Sequence, residues 1–185
     1  LGPLVMTSGN PSAEPLCADN DEALRRLGGI ADAFLVHNRD IYLRCDDSIV
    51  RKTAGVARFI RRARGYVPTP VFLNHSPPPV LACGAALKNT VCLTKEDRAF
   101  ISQHIGDLDT AEVYEFFLES ISHLKRVFQL EPEAVVCDLH PDYLSSRYAA
   151  ELGLPLYRVQ HHHAHGVAVM AEHRLDQPVL AVILD

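Results

Sequence analysis

A proline-rich segment in the middle of the chain constrains the fold most strongly, because it separates two regions whose sequence patterns differ. The segment reads Tyr66-Val-Pro-Thr-Pro-Val-Phe-Leu-Asn-His-Ser-Pro-Pro-Pro79 and contains five of the twelve prolines. Proline lacks a backbone N–H and fixes φ, so a run of this kind interrupts helices and sheets. We predict a semi-rigid linker over 69–79, between one unit at 1–68 and a second unit at 80–185.

The composition is that of a globular protein, since 48% of the 185 residues are hydrophobic and 22% are charged. No apolar run approaches the roughly 20 residues that cross a bilayer, and nothing resembles a signal peptide. The five cysteines form no C-x-x-C pair, which argues against a zinc ribbon or a disulfide framework and favours a reducing cytoplasm. The chain opens at Leu1 and stops at Asp185 after an apolar run, so we expect a piece of a longer protein.

Positive charge is concentrated in one stretch, although the net charge is −5. Residues 39–64 hold eight basic and three acidic side chains. Seven of the eight are arginines, whose planar guanidinium pairs with two phosphate oxygens at once. The stretch therefore predicts a phosphate or nucleotide ligand, and charge alone leaves a nucleic-acid partner open.

The first unit has an incomplete α/β pattern. Apolar runs at 4–7, 33–36, 41–43, 48–50 and 58–60 predict strands. A helix is predicted over 19–27, with Asp19 and Glu22 at capping-box spacing and two glycines after its end.

The second unit predicts a mixed sheet. Strand patterns at 80–84, 90–94 and 99–102 are joined by short turns, which makes these strands antiparallel. An amphipathic helix follows, capped by Asp109 and Glu112 and stopped by Pro132, and its apolar face includes Val127. Strands at 134–137 and 156–159, helices at 145–152 and 161–173, and a last strand at 179–184 complete the pattern. The order βββαβαβ through residue 159 predicts a ribonuclease-H-like or actin-like sheet with helices on both faces.

Histidines predict a metal site. His161 and His165 are four residues apart on a predicted helix and so share a face. Asp185 ends the next predicted strand and is a candidate third ligand, giving a site of two histidines and one carboxylate. The alternative is a solvated histidine-rich helix start that binds no metal.

Two groups in the first unit predict anion binding. The loop Thr7-Ser-Gly-Asn-Pro-Ser12 follows a predicted strand, so Ser8 and Asn10 are candidates, with an ordinary turn as the alternative. Strand alternation places Arg62 and Arg64 on one face, where a solvated edge strand is the alternative.

In the second unit, the turn after the first strand offers Lys88, Asn89 and Thr90, because such a turn approaches nucleotide phosphates in actin-like folds; a plain hairpin turn is the alternative. Asp138, together with His140 and Asp142, follows another strand, where a helix cap is the alternative.

Six strings of this sequence, spread over nearly the whole chain, resemble the HypF family of hydrogenase maturation carbamoyltransferases. They are Val5-Met-Thr-Ser-Gly-Asn-Pro-Ser-Ala-Glu-Pro15, Arg61-Arg-Ala-Arg-Gly-Tyr-Val-Pro68, Leu81-Ala-Cys-Gly-Ala-Ala-Leu-Lys-Asn-Thr90, Ser102-Gln-His-Ile-Gly-Asp-Leu108, Cys137-Asp-Leu-His-Pro-Asp-Tyr143 and Val159-Gln-His-His-His-Ala-His165.

The resemblance implies that 1–68 ends a YrdC/Sua5-like domain, which makes carbamoyl-adenylate from carbamoyl phosphate and ATP with Mg²⁺. Ser8 and Asn10 match its Ser-x-Asn nucleotide-binding motif. Residues 80–185 resemble the start of a Kae1-like domain, which passes the carbamoyl group to the carboxyl-terminal cysteine of the partner HypE. Dehydration there yields the cyanide ligands of [NiFe]-hydrogenase.

The resemblance also assigns the metal site. His161 and His165 match the family's metal-binding H-x-x-x-H, and Asp185 matches the aspartate that opens its next turn; the ion is divalent, iron or zinc. Together with Ser8 and Asn10, Arg62 and Arg64 are expected to hold phosphates. The attacking thiolate comes from the partner, so no residue here is singled out as catalytic.

The family's remaining domains are missing, so the resemblance implies no activity for this piece alone. Ala13 stands where such loops usually carry glycine. Two other functions stay open: threonylcarbamoyl transfer for tRNA modification, and a non-catalytic metal-binding module. The resemblance argues against a nucleic-acid partner, although YrdC-type folds are associated with double-stranded RNA.

Overall fold

The computed structural model describes residues 2–185, which form four helices and eight strands. In chain order these are α1 (Asn20–Leu27), β1 (Ile49–Thr53), β2 (Val56–Arg61), β3 (Val71–Phe72), β4 (Val80–Ala82), β5 (Cys92–Lys95), β6 (Arg98–Ile101), α2 (Ala111–Phe128), β7 (Ala134–Asp138), α3 (Leu144–Glu151), β8 (Leu156–Val159) and α4 (His161–His173). Among residues 2–185, no helix is both long and apolar enough to span a bilayer.

Six of the strands form one mixed sheet in the order β3-β6-β5-β4-β7-β8. The neighbours β4, β5 and β6 are antiparallel, as their short turns require, whereas β4 pairs in parallel with β7 and β7 with β8. The predicted meander and crossovers are therefore confirmed.

Helices cover both faces of this sheet. Side chains alternate along a strand, so Leu81 and Val135 point to one face and Ala82 and Val136 to the other. The first pair belongs to the core that includes α2 and Ala149 of α3. The second pair lines an apolar cavity of about 510 Å³ beneath α4. The predicted ribonuclease-H-like arrangement is confirmed.

The start of α2 differs from the prediction by one residue. Thr110, not Asp109, has the extended backbone of an N-cap, and its hydroxyl accepts a hydrogen bond from the Val113 N–H. The helix ends at Phe128, and Gln129 takes a left-handed conformation before Pro132 is reached. Val127, predicted on the buried face, is half exposed.

The first unit forms less regular structure than predicted. Helix α1 has the expected cap, since Asp19 accepts from the Glu22 N–H and the Glu22 carboxylate accepts from the Ala18 N–H. Strands β1 and β2 make an antiparallel hairpin at two of the predicted positions.

The predicted strands at 4–7, 33–36, 41–43 and 179–184 are not strands in the structure. Val5 is 97% exposed, and no strand among residues 2–185 pairs with any of these runs. An apolar run becomes a strand only where a neighbour completes its hydrogen bonds, which is why the pattern alone was insufficient.

The proline-rich segment is not a free linker throughout. Val71 and Phe72 pair with β6 and form an edge of the sheet. The guanidinium groups of Arg98 and Arg174 both contact the Phe72 ring, at 5.9 and 5.6 Å from its centroid. Proline is tolerated beside such an edge strand because the outer backbone groups need no sheet partner.

Candidate metal and anion sites

Three predicted metal ligands meet at the start of α4. The Nε2 atoms of His161 and His165 are 3.2 Å apart, and they lie 3.0 and 3.7 Å from Oδ2 of Asp185. Helix geometry brings the two imidazoles together, because positions i and i+4 share a face. The run at 179–184 brings Asp185 to them although it forms no strand.

These distances suit a metal ion. A triangle with such sides has a circumscribed radius of about 1.9 Å, so a point roughly 2.1 Å from all three atoms exists, which is the length of zinc–histidine and zinc–carboxylate bonds. Two imidazoles and one carboxylate also suit iron in its divalent state. The donor set fits a divalent transition metal.

Asp138 holds one of these imidazoles in place. Its Oδ2 lies 2.7 Å from Nδ1 of His161, which leaves the Nε2 lone pair of His161 free for a ligand. Asp138 is almost fully buried, and this hydrogen bond raises the pKa of His161. The backbone N–H of His140 occupies the other carboxylate oxygen. Asp138 therefore orients a candidate metal ligand instead of capping α3.

The neighbouring histidines have different surroundings. His162 Nε2 is 3.8 Å from Asp185, at the margin of the cluster. His163 lines the apolar cavity beneath α4, and the ring of His140 stacks on Tyr143. The cluster of ligand atoms thus selects two of the four histidines in 161–165.

A second site lies between the two units, in a cavity of about 310 Å³. Ser8 and Asn10 of the first unit and Lys88 of the second unit all line it, as do Arg61 and His104. Burial and the nearby Arg61 lower the pKa of His104, so its ring is neutral at pH 7. The cavity combines the Ser8 hydroxyl and three cations, which are groups that bind oxyanions, with three carboxylates. The cations are Arg44, Arg61 and Lys88, and the carboxylates are Glu14, Asp46 and Asp107.

Arg62 and Arg64 are not among the residues that line this cavity. Arg62 donates to the carbonyls of Tyr66 and Thr69, and Arg64 donates to the Cys45 carbonyl at 2.9 Å. The prediction that they share a strand face is wrong, because β2 ends at Arg61. Of the three arginines, Arg61 is the one that lines the cavity, and its guanidinium forms an ion pair with Asp46 at 3.4 Å.

The Ser8 loop is closed by Asn10. The carboxamide of Asn10 donates to the carbonyls of Pro11 and Glu14, each at 2.9 Å. Ala13 between them has φ +61°, the left-handed conformation that glycine adopts without strain. Ala13, which stands where such loops usually carry glycine, is therefore a locally strained position in an otherwise hydrogen-bonded loop.

Ala13→Gly is expected to stabilise the folded state by about 0.5–1 kcal/mol, because the relief of the strain of a Cβ in the left-handed region outweighs the greater entropy that glycine gives the unfolded chain. Chemical unfolding of the full-length protein checks this. The same change in the middle of α1, Ala23→Gly, serves as control and is expected to destabilise by about 1 kcal/mol. Equal destabilisation by both variants would contradict the prediction.

The three candidate residues in the turn after β4 differ in their exposure. Lys88 is exposed and lines the cavity, Thr90 is half-buried, and Asn89 has only 1% of its surface exposed. Asn89 therefore lies behind the turn instead of on its ligand-facing side. Gly84 has φ +69°, and a Cβ there would lie 2.4 Å from the Thr90 carbonyl oxygen, so this position requires glycine.

Helix α3 connects the turn to the candidate metal site. The hydroxyls of Ser145 and Ser146 are both buried. Ser145 donates to the Gly84 carbonyl at 3.0 Å, and Ser146 donates to the Asp138 carbonyl at 3.2 Å. The first turn of α3 thus fixes the relative positions of the two strand ends.

Cys83, Cys92 and Cys137 belong to neither candidate site, whereas Cys45 lines the cavity between the two units. Cys83 and Cys137 are buried and Cys92 is half-buried, as is usual for free cysteines that pack as small hydrophobic residues. Burial raises the pKa of both Cys83 and Cys92 to about 12, so neither is a thiolate at neutral pH. All five cysteines are free.

Comparison with family models divides the chain in the same region as the proline-rich segment. A model described as the HypF Kae1-like domain matches residues 75–172. A model for the Sua5/YciO/YrdC family, described as telomere recombination, matches residues 1–63.

Curated proteins of known name are similar over almost the whole chain. Carbamoyltransferase HypF2 of Cupriavidus necator is 55% identical, over 98% of this chain and 23% of its own length. Carbamoyltransferase HypF of Synechocystis sp. is 48% identical, over 99% of this chain and 24% of its own length. The chain thus spans about a quarter of the length of these relatives.

Two solved structures share the fold. The crystal structure of full-length HypF in the phosphate- and nucleotide-bound form superposes with a TM-score of 0.89 at 52% identity, covering 92% of this chain and 27% of that one. The structure of T. kodakarensis HypF gives 0.86 at 40% identity, covering 92% and 23%.

Proposed function

This chain belongs to the HypF family, and from that premise we propose that it is part of a carbamoyltransferase that uses carbamoyl phosphate and ATP. The acceptor in this proposal is the carboxyl-terminal cysteine of HypE. The names of the relatives, all of them carbamoyltransferases, support the transfer of a carbamoyl group.

The observation that carries the proposal is the cavity between the two units. Ser8 and Asn10 match the nucleotide-binding motif of the first unit, and Lys88 belongs to the turn of the second unit, yet all three line one cavity of about 310 Å³. Arg61 and Lys88 supply positive charge, and the Ser8 hydroxyl supplies a donor. These groups suit the phosphates of ATP and of an acyl-adenylate.

The chemistry takes place in two stages. Water first cleaves carbamoyl phosphate to carbamate and inorganic phosphate. A carbamate oxygen then attacks the α-phosphorus of ATP with Mg²⁺, and pyrophosphate leaves. In the second stage the partner's thiolate sulfur attacks the carbonyl carbon, a C–S bond forms, and the C–O bond to the phosphate breaks so that AMP leaves with the electron pair. Arg61 and Lys88 stabilise the negative charge on the leaving phosphates.

His161, His165 and Asp185 are proposed to hold one divalent ion, iron or zinc. Such an ion, when bound, supplies Lewis-acid chemistry. Asp138 fixes the orientation and the Nδ1 proton of His161, and so keeps Nε2 available as a ligand.

A carbamoylation assay tests the proposal. The full-length protein is incubated with carbamoyl phosphate, ATP and the acceptor, and mass spectrometry follows the addition of one carbamoyl group to the terminal cysteine. Ser8→Ala is expected to lower kcat/KM about 10- to 100-fold, the usual effect of losing one hydrogen bond to a charged group.

Ser76→Ala is the matched control, because Ser76 is exposed in the proline-rich segment and does not line the cavity. It is expected to act like the parent. Transfer that is unaffected by Ser8→Ala would exclude this cavity as the nucleotide site, and no transfer by the parent would exclude the proposed reaction.

A further inference from the structure

Asn89 is a fully buried polar residue in the turn between β4 and β5. Its side-chain Nδ2 donates to the carbonyls of Cys83 and Ala85, at 3.0 and 2.6 Å. Two carbonyl acceptors require the NH2 end of the carboxamide at this place, so the orientation of the amide is determined. Asn89 therefore ties the end of the turn back to its beginning.

The backbone of Asn89 makes a second set of contacts, with the segment after β6. Its N–H donates to the Gly106 carbonyl at 2.8 Å, and its carbonyl accepts from the Ile105 N–H at 2.9 Å. One residue thus joins three pieces of chain: both ends of its own turn and the segment at 105–106.

Lys88, which lines the cavity, precedes Asn89 and has φ +48°. A lysine rarely adopts this left-handed conformation unless its neighbours hold it there. The Lys88 N–H donates to Oδ1 of Asp107 at 2.6 Å, so the position of the lysine backbone depends on Asp107 on one side and on Asn89 on the other.

The buried Oδ1 of Asn89 has no hydrogen-bond partner among residues 2–185. An unpaired buried acceptor is destabilising, and an apolar side chain of similar size avoids it. A carboxamide at this position is therefore better explained by the geometry that its two N–H bonds impose than by stability.

We propose that Asn89 is a positioning residue of the anion-binding cavity: its buried carboxamide holds the turn at 84–90 so that Lys88 faces the ligand. The inference rests on the proposed function, because it assumes that the cavity binds a nucleotide. It also replaces the expectation that Asn89 contacts the nucleotide itself, which its burial excludes.

A double-mutant cycle in the full-length protein tests this inference. Calorimetry measures the Kd of a non-hydrolysable ATP analogue for the parent, Lys88→Ala, Asn89→Ala and the double variant. Each single change is expected to raise Kd about tenfold. Because Asn89 acts through Lys88, the double variant is expected to bind no more weakly than Lys88→Ala, instead of about a hundredfold more weakly than the parent.

Substitutions of Asp107 test the same inference without changing the buried Asn89 carboxamide. Asp107→Ala removes the acceptor of the Lys88 N–H, whereas Asp107→Asn keeps a carbonyl oxygen in its place. If the backbone position of Lys88 matters, the alanine variant binds the analogue several-fold more weakly than the asparagine variant. A purely electrostatic effect makes both variants bind more tightly than the parent.

Additive losses in the cycle, or an unchanged Kd in Asn89→Ala, would overturn the inference. Where Asn89→Ala does not fold, as judged by its thermal unfolding and metal content, equal binding by the two Asp107 variants overturns it. A parent that does not bind the analogue overturns the proposed function, and this inference with it. Binding by the parent that Lys88→Ala leaves unchanged overturns the inference alone.

Discussion

Replacing any one of His161, His165 and Asp185 by alanine is expected to weaken metal binding at least about tenfold. The three ligand atoms lie within 4.8 Å of one another, and loss of one leaves only two protein ligands for an ion that prefers three or more. Elemental analysis and calorimetry on the full-length protein measure stoichiometry and Kd. The parent is expected to bind one equivalent.

His173→Ala is the matched control for these variants. His173 is the last residue of α4, is exposed, and lies outside the ligand cluster, so the same substitution there is expected to leave the metal Kd unchanged. Metal binding that is equally sensitive to His173→Ala, or insensitive to all three ligand variants, would refute the assignment and leave the cluster as a solvated helix start.

Phe117→Ala is expected to lower the free energy of unfolding of the second unit by about 3–5 kcal/mol. Phe117 is completely buried at the centre of α2, where its ring stacks on Tyr114 at 5.8 Å and meets Tyr148 edge-on at 5.3 Å. Truncation to alanine leaves a cavity between α2 and α3. The adjacent sheet limits how far the neighbouring side chains can move to fill it. Denaturant unfolding followed by circular dichroism measures the change.

Val127→Ala on the same helix controls for secondary-structure effects. Val127 is 49% exposed, so its loss removes little buried surface, and alanine has a higher helix propensity than valine. A change of less than about 1 kcal/mol is expected. Similar losses at both positions would show that the helix, and not the packing of Phe117, controls the stability.

The second unit was predictable because its local patterns agree with its long-range pairing. The run at 134–137 is apolar throughout, as a strand flanked by two neighbours requires, and β7 does lie between β4 and β8. The run at 179–184 is equally apolar but has no strand beside it within residues 2–185. Whether such a run becomes a strand depends on contacts that no local pattern contains.

The same distinction applies to the sites. His161 and His165 were predictable from helical spacing alone, because both lie on one regular element. Strand alternation favoured Arg62 and Arg64, but it applies only as far as β2 extends, and of these three arginines it is Arg61 that lines the cavity. The hydrogen bond from His161 to Asp138 joins residues 23 positions apart, and the only signal for it was the place of Asp138 at the end of a buried strand.

The edge strand β3 has a consequence for how this protein can be divided. The outermost strand of the second unit's sheet begins at Val71, ahead of the consecutive prolines and ahead of residue 75, where the match to the Kae1-like family model starts. A cut at either of those places would unpair β6 along its outer edge and remove the aromatic ring that Arg98 and Arg174 both contact. The boundary that preserves the sheet therefore lies before Val71, close to the amino-terminal end of the proline-rich segment and not at its run of consecutive prolines.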